Sequence, residues 1–297
     1  MSVPTTCRVL LSFDAEEFDL PLEHGQRIDL DEQMAVGGEG MRRTLALLDD
    51  ARRDAGRPPP ATFFCTALFA ERFPELIRRA VDAGHEIASH GCVHGAVDWR
   101  DEHLAESRER LERVSGTPCV GFRRPRLAET DRAAVAMAGY RYNSSENPVW
   151  LPGRYNNFRK PRRPYRVDAA GRAVLHIPAS ATPIVRVPLF WLSFKALPLF
   201  ATKAAARTVL ASDPALVLYF HPWELCDLSR YRVPGYIRRC DGAAMTAKLA
   251  AYVRWLAKGW PFARYDRFAD EELTRLSRSG GTAHGGRSAS ASTGATP

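Results

Sequence analysis

The sequence predicts an α/β fold, a distorted (β/α) barrel of about seven parallel strands, and three observations lead there. Apolar strand-like runs alternate with stretches of helical period, and repeated βαβα units make a parallel sheet with helices outside. About seven such runs in about 270 ordered residues suit one barrel better than two separate domains. Several of the runs end in clustered polar residues, as strands do at the active rim of such barrels. A doubly wound open sheet is the structural alternative.

Arg8–Phe13 reads as the first buried strand. Gly40–Asp50 follows as a helix with Met41, Leu45 and Leu48 on one face. After the break at Pro58-Pro59-Pro60, Ala61–Cys65 is strand-like. Phe73–Ala83 is a helix, with Pro74 in its first turn and Gly84 placed to cap its end. His85–Ser89 is a short strand, Glu102–Val114 a helix ending at Gly116, and Cys119–Arg123 a strand. Thr130–Ala138 is a helix closed by Gly139, and Tyr140–Ser144 another strand. Residues 146–213 are rich in proline and aromatics and show no clear period, which reads as an insertion. Leu216–Phe220 resumes the strands, Ala243–Lys258 is a helix, Phe262–Tyr265 a last strand, and a short helix lies near Glu271–Leu276. One domain is expected over residues 1–276, with a Gly/Ser/Ala/Thr-rich, disordered tail at 277–297.

A hydrophobic content of 45% and a charged content of 26% are those of a globular protein. The net charge of +8 fits either anionic partners or a basic surface with no partner. Nucleic acid is not expected, because no binding motif accompanies the charge. The six cysteines form no CxxC pair and sit mostly in apolar runs, which suits a reducing compartment. The first apolar run is short and flows into acidic residues, so no signal peptide is expected and the cytoplasm is the predicted location.

The chemistry-bearing residues fall at strand ends. Asp14, Glu16 and Glu17 follow the first strand; His90, the third; Arg123, Arg124 and Arg126, the next; and His221, the Leu216–Phe220 strand. His90 and His94 are four apart, a spacing that on a helical turn lets two imidazoles share an ion. Two histidines and a carboxylate from another strand make an open metal site suited to zinc or a related divalent ion. Asp14 and Glu16 are two apart, so in extended chain they point to the same side. One can hold metal while the other takes a proton from water. His221 is a candidate general acid, with an ordinary pKa near neutrality. Trp223 is placed to cap it, and Glu224 either to orient it or to bind substrate. His85 and Cys92 are expected to be structural.

Taken in order, Ser12-Phe13-Asp14-Ala15-Glu16, Ser89-His90-Gly91-Cys92-Val93-His94, Gly121-Phe122-Arg123-Arg124-Pro125, Tyr140-Arg141-Tyr142-Asn143-Ser144-Ser145 and Leu218-Tyr219-Phe220-His221-Pro222-Trp223-Glu224 resemble the motifs of the NodB-like polysaccharide deacetylases. The resemblance spans about residues 7 to 276, and the HPWE ending looks most like the exopolysaccharide-associated branch. It implies a distorted (β/α) barrel and a metal-dependent hydrolase that removes an N-acyl group, most simply acetyl, from a sugar. It implies that Asp14 is the general base, held by Arg123, and that His221 is the general acid. It implies that His90 and His94 bind a divalent metal, zinc by preference, and that the backbone N–H near Arg126 supports the oxyanion. Arg126, Trp223 and Glu224 are assigned to substrate. Many members have aspartate where this chain has Ala15; Glu16 is therefore assigned to the metal, with Glu17 and Asp19 in reserve.

The insertion carries Arg154, Arg159, Lys160, Arg162, Arg163 and Arg166 close together, and an apolar, aromatic stretch at 184–200. Such a pairing fits peripheral contact with an anionic membrane face or a polyprenyl-phosphate-linked sugar. It fits equally a loop packed on the barrel with its arginines in solvent. Two other functions stay open: hydrolysis of a different non-peptide C–N bond, such as a formamide or ureide, and a non-catalytic carbohydrate-binding barrel, for which Ala15 is the best support.

Overall fold

A computed structural model of the protein describes residues 7–55, 59–95, 99–151 and 155–280. Its strands are β1 (Arg8–Ala15), β2 (Thr62–Cys65), β3 (Glu86–Ser89), β4 (Gly121–Phe122), β5 (Tyr142–Asn143), β6 (Trp150–Leu151), β7 (Tyr155–Asn156), β8 (Tyr165–Ala169), β9 (Arg172–His176) and β10 (Ala215–Phe220). Strands β6 and β7 form a separate hairpin; the other eight make one sheet in the order β10-β1-β2-β3-β4-β5-β9-β8. From β10 to β9 the strands run parallel, and β8 alone is antiparallel. Six of the seven predicted strands are therefore present, and β9 and the antiparallel edge strand β8 are added.

Alternation along β1 sorts its side chains into two cores. Val9, Leu11 and Phe13 join the large core between sheet and helices. Leu10 faces the concave side, with Phe64, Ala88, Tyr142, Leu175 and Val217. Ser12 and Asp14 continue the Leu10 face toward the strand's end. The sheet curls without its two edge strands pairing. Where the gap is bridged, Ser180 does it: its N–H donates to the Val217 carbonyl (3.1 Å) and its Oγ accepts from the Val217 N–H (2.8 Å). This is the distortion of the barrel.

The far end of the barrel is plugged by helix Tyr265–Gly280, whose Tyr265, Phe268 and Ala269 enter the concave core. The predicted strand Phe262–Tyr265 reduces to a single bridge from Phe262 to Val9. The helix begins at Tyr265 because its free first N–H groups find acceptors inside the barrel. The Tyr265 N–H donates to Thr62 Oγ1 (3.1 Å) and the Asp266 N–H to Glu86 Oε2 (3.1 Å). The helix also continues past Ser277 to Gly280, so the expected tail begins later; 281–297 lie outside the described residues.

The helix predicted at Gly40–Asp50 in fact spans Leu30–Ala55. Gly37, Gly38 and Gly40 argue against helix by propensity, each costing about 1 kcal/mol relative to alanine. Close packing requires two of them. A Cβ at Gly37 would lie 2.5 Å from the Glu16 carbonyl oxygen, and one at Gly40 2.4 Å from the Pro222 carbonyl group. The helix thus lies directly on two turns that carry predicted site residues.

The aperiodic stretch 146–213 holds β6 to β9 and the helices Trp191–Ala196 and Leu199–Leu210. Its cations are largely used internally. Arg162 and Arg163 both pair with Asp213, Arg166 with Asp168, and Lys160 with Glu129. Arg154 lies outside the described residues. His85 is structural, as expected: its Nδ1 accepts from the Ala61 N–H at 3.2 Å. All six cysteines are unpaired, and Cys92 turns its sulfur toward the His103 carbonyl.

Candidate active site

One cavity of about 170 Å³ opens where β1, β3 and β10 end, and Asp14, Glu16, His90, His94, Arg126 and His221 all line it. Residues from three strand ends, as far apart in sequence as Asp14 and His221, thus converge on one rim.

The turn after β3 is not helical. Gly91 takes a left-handed conformation (φ +85°), where a side chain would be strained and would press on Trp99. The chain bends there and brings the His90 and His94 rings nearly parallel, 5.7 Å apart. The four-residue spacing thus pairs the imidazoles through a glycine turn rather than a helix. His90 Nδ1–H donates to the Arg123 carbonyl (2.8 Å), and His94 Nδ1–H to Asp19 Oδ1 (2.8 Å). These bonds fix the tautomers and leave both Nε2 atoms facing Glu16 Oε2, at 3.1 and 3.3 Å.

Glu16 is buried, and its Oε1 accepts from Trp223 Nε1–H (3.1 Å). Its Oε2 has no hydrogen-bond donor among the described residues. One carboxylate oxygen and two imidazole nitrogens, all within 4.8 Å of one another, are the donor set of a divalent ion. The residues fit a metal: with both imidazoles neutral the Glu16 oxygen between them has no donor, and an ion there would take the place of the proton that His94 otherwise carries. The reserve ligands have other work. Glu17 Oε2 accepts from the Thr66 hydroxyl (2.8 Å), and Asp19 stands behind His94.

Burial alone would raise the Glu16 carboxyl, but the histidine charges of His94, His90 and His221 outweigh it and hold the group at about 2. Burial would lower His94, yet Glu16 and Asp19 beside it push it up to about 9. An ion must therefore displace a proton from His94 anywhere below that value. Zinc binding to metal-free protein at neutral pH should release a proton, and affinity should rise with pH until about pH 9. Calorimetry in buffers of differing ionisation enthalpy measures this, and uptake without proton release would refute it.

Asp14 and Arg123 form a fully buried pair. Arg123 Nη1 donates to Asp14 Oδ1. Its Nη2 reaches Ser12 Oγ (3.0 Å), Ser144 Oγ (3.1 Å) and Tyr265 Oη (3.2 Å), its Nε reaches the Ser144 carbonyl (3.2 Å), and the guanidinium lies 3.9 Å from the Phe64 ring centre. Burial alone would lower the guanidinium; the Asp14 carboxylate more than compensates. With Oδ1 taken by Arg123, Oδ2 is the Asp14 oxygen left for the cavity. Sequence reading missed Ser12, Ser144 and Tyr265. Ser12 was accessible to it, two residues before Asp14 on one strand face; Tyr265 had no local signal.

His221 follows β10. Its ring stacks on Trp223 (4.8 Å between centres) and meets the edge of Trp191 (5.0 Å). Glu224 Oε1 accepts both from the His221 N–H (2.7 Å) and from its Nδ1–H (3.1 Å), so Nε2 is the nitrogen left free. Burial tends to lower this imidazole, but the Glu224 hydrogen bond and the nearby Glu16 and Asp14 charges raise it above its ordinary value. It is therefore suited to carry a proton. One substrate assignment changes. Glu224 is completely buried, bonds His221 from beneath and lines no part of the cavity. Trp223 lines the cavity but spends its N–H on Glu16. Arg126 keeps a place at the rim, where its side chain bonds Asp19 (3.2 Å) and Glu23 (2.8 Å). Arg126 and Leu127 both adopt positive φ, 59° and 52°, a strained turn of the kind that marks functional sites. The turn's own hydrogen bonds start from Leu127 and Ala128, leaving the Arg126 N–H outside them.

Comparison with known proteins follows these lines. Residues 56–143 match the family described as polysaccharide deacetylase, and residues 144–269 match one described as a domain of unknown function, DUF3473. The second segment is no separate unit: it supplies β8, β9 and β10 to the same sheet and His221 to the same cavity. The fold is similar to that of a Mycobacterium smegmatis protein described as a polysaccharide deacetylase, at 21% identity and TM-score 0.62 over 93% of this chain and 94% of that one. A Pseudomonas aeruginosa PAO1 protein with the same description has 18% identity and TM-score 0.60 over 90% of each chain. An allantoinase has 18% identity and TM-score 0.65 over 92% of each.

Proposed function

We propose that this cavity removes the acetyl group from an N-acetylated sugar in a glycan or lipid-linked glycan intermediate of exopolysaccharide synthesis, with zinc held by Glu16, His90 and His94; the match of residues 56–143 to the polysaccharide deacetylase family supports this reading. One observation carries the reading: a free carboxylate oxygen on Asp14 and a free imidazole nitrogen on His221 share one cavity with a three-ligand metal set.

The ion would supply Lewis-acid polarisation of the amide carbonyl. Asp14 takes the proton of the attacking water, and Arg123 keeps its carboxylate aimed. The water oxygen bonds to the carbonyl carbon, and the Arg126 N–H can meet the charge that builds on the carbonyl oxygen. The C–N bond then breaks as His221 Nε2 gives its proton to the nitrogen, releasing acetate and an amino sugar. Phe190, Trp191 and Tyr236 at the rim offer rings to the apolar faces of a sugar.

The decisive experiment is incubation of zinc-loaded protein with N-acetylated oligosaccharides, followed by assay of acetate. Ammonia from a ureide with no acetate from any sugar would move the reading to another C–N bond. No product, together with protein that stays metal-free after zinc addition, would leave a binding barrel.

We place the enzyme in the cytoplasm, against the inner membrane face. No helix among the described residues is long and apolar enough to cross a membrane. The contact would be the tip Ile184-Val185, 90% and 73% exposed, with Arg186 beside it anchored on the Pro148 and Lys160 carbonyls. Wild-type protein should sediment with anionic vesicles at low salt, and I184E/V185E should not. Failure of the wild type to bind would remove this location.

A further inference from the structure

Lys195 is a charged side chain with no exposed surface, and the chemistry above gives it no part. It comes from helix Trp191–Ala196, deep in the segment that showed no period in sequence. Its Nζ lies 3.4 Å from Glu224 Oε2 and donates to the Ile237 carbonyl at 2.8 Å. The indoles of Trp191 and Trp223 flank the ammonium at 5.6 and 5.7 Å. Glu224 is equally buried, and Oε2 has no hydrogen-bond donor among the described residues. The ammonium is therefore the charge that balances this carboxylate. A buried ion pair adds little to stability, since two apolar groups of like volume often do as well. Its position directly behind His221 accounts for it better.

We propose that Lys195 is a positioning residue for the proton donor: by pairing with Glu224 it locks the carboxylate that holds His221 Nδ1, so that Nε2 stays aimed at the leaving nitrogen. The chain of contacts is continuous. Lys195 balances Glu224; Glu224 Oε1 takes both the backbone N–H and the Nδ1–H of His221; and the ring is clamped between Trp223 and Trp191, a residue of the same helix as Lys195. The bond from Lys195 to Ile237 reaches the cavity lining, to which Ile237 and Tyr236 belong. One ammonium thus ties the wall that receives the sugar to the group that protonates it. The DUF3473-matching segment then has a definite role, which is to bring the proton donor, its orienting carboxylate and the counter-charge together.

The inference rests on the deacetylase reading, and the test separates the two. Wild type, K195M, K195R and E224Q are compared as zinc-loaded enzymes. K195M should keep its zinc and lose kcat on the order of 10- to 100-fold, a share of what general acid catalysis contributes. KM should change little, and the alkaline limb of the kcat profile should shift once the Glu224 charge that bears on His221 is no longer balanced. K195R should recover part of the loss. E224Q should lose at least as much as K195M, and K195M/E224Q no more than E224Q alone, because the two act as one unit. In proton NMR the His221 Nδ1–H bonded to Glu224 should give a downfield signal that K195M abolishes. K195M with wild-type kcat, pH profile and downfield signal would overturn the proposal while leaving the deacetylase reading intact. Should K195M not fold, K195M/E224Q removes both charges together. Wild-type pH dependence and kcat in that variant would overturn the proposal equally. A wild-type protein that releases no acetate from any N-acetylated sugar overturns the reading beneath it.

Discussion

Asp14→Asn should bind zinc like the wild type and lose kcat by about 100- to 10,000-fold, the span that a positioned general base contributes. The substitution keeps shape and one acceptor. An asparagine Oδ1 can still receive the Arg123 Nη1–H, so the buried guanidinium keeps an acceptor but loses its counter-charge, and the melting temperature should fall. What disappears is the carboxylate oxygen facing the cavity, and with it the ability to take a proton from water. Glu16, His90 and His94 are untouched, so metal content should be unchanged. Acetate release, zinc content and a melting curve on one preparation check all three expectations. Near-wild-type turnover would show that another group is the base. Lost zinc would show that Asp14 is itself a ligand.

Arg123→Met should act on stability as well as rate. Removing one member of a buried ion pair strands the other, at a cost of about 3–5 kcal/mol. Here the stranded group is Asp14, 3% exposed. Ser12, Ser144 and Tyr265 would lose a shared donor at the same time. Chemical denaturation should give a midpoint well below the wild type's, and turnover should fall at least as far as in Asp14→Asn. Arg123→Lys should rescue little, because a single ammonium cannot reach acceptors spread around a planar fork. Stability within about 1 kcal/mol of wild type in Arg123→Met would refute the account.

Much of this was legible in the sequence because the rim residues are local to strand ends. An apolar run followed by Asp14 and Glu16, or by His90, shows its own position on a barrel. The two histidines read as metal ligands do come together, but a glycine turn and not a helix aligns them. Glu224 was assigned to substrate although its carboxylate lies under His221: three-residue spacing shows adjacency, not depth. The residues that act from behind were not legible at all. Tyr265 reaches Arg123 from 142 positions away, and Lys195 meets Glu224 across a segment with no period. Helix Leu199–Leu210 is rich in alanine and shows little contrast between faces, and β8 lies at the sheet edge with none of its residues buried. The first ten residues of helix Leu30–Ala55 are not legible locally, because Gly37, Gly38 and Gly40 disfavour helix and the contacts that require Gly37 and Gly40 come from elsewhere in the chain.

Those glycines set a limit on how the enzyme can vary. At Gly37 and Gly40 the helix meets the Glu16 turn and the Pro222 turn main chain to main chain. Side-chain contacts can adjust to a mutation by changing rotamer; a carbonyl 2.4 Å from a new Cβ has no such freedom. One rigid rod therefore spaces the metal carboxylate from the loop of the proton donor. Evolution can redecorate the outer face of that rod and redraw the rim for a new sugar. The separation between the two chemical poles is ruled by two positions where no side chain fits.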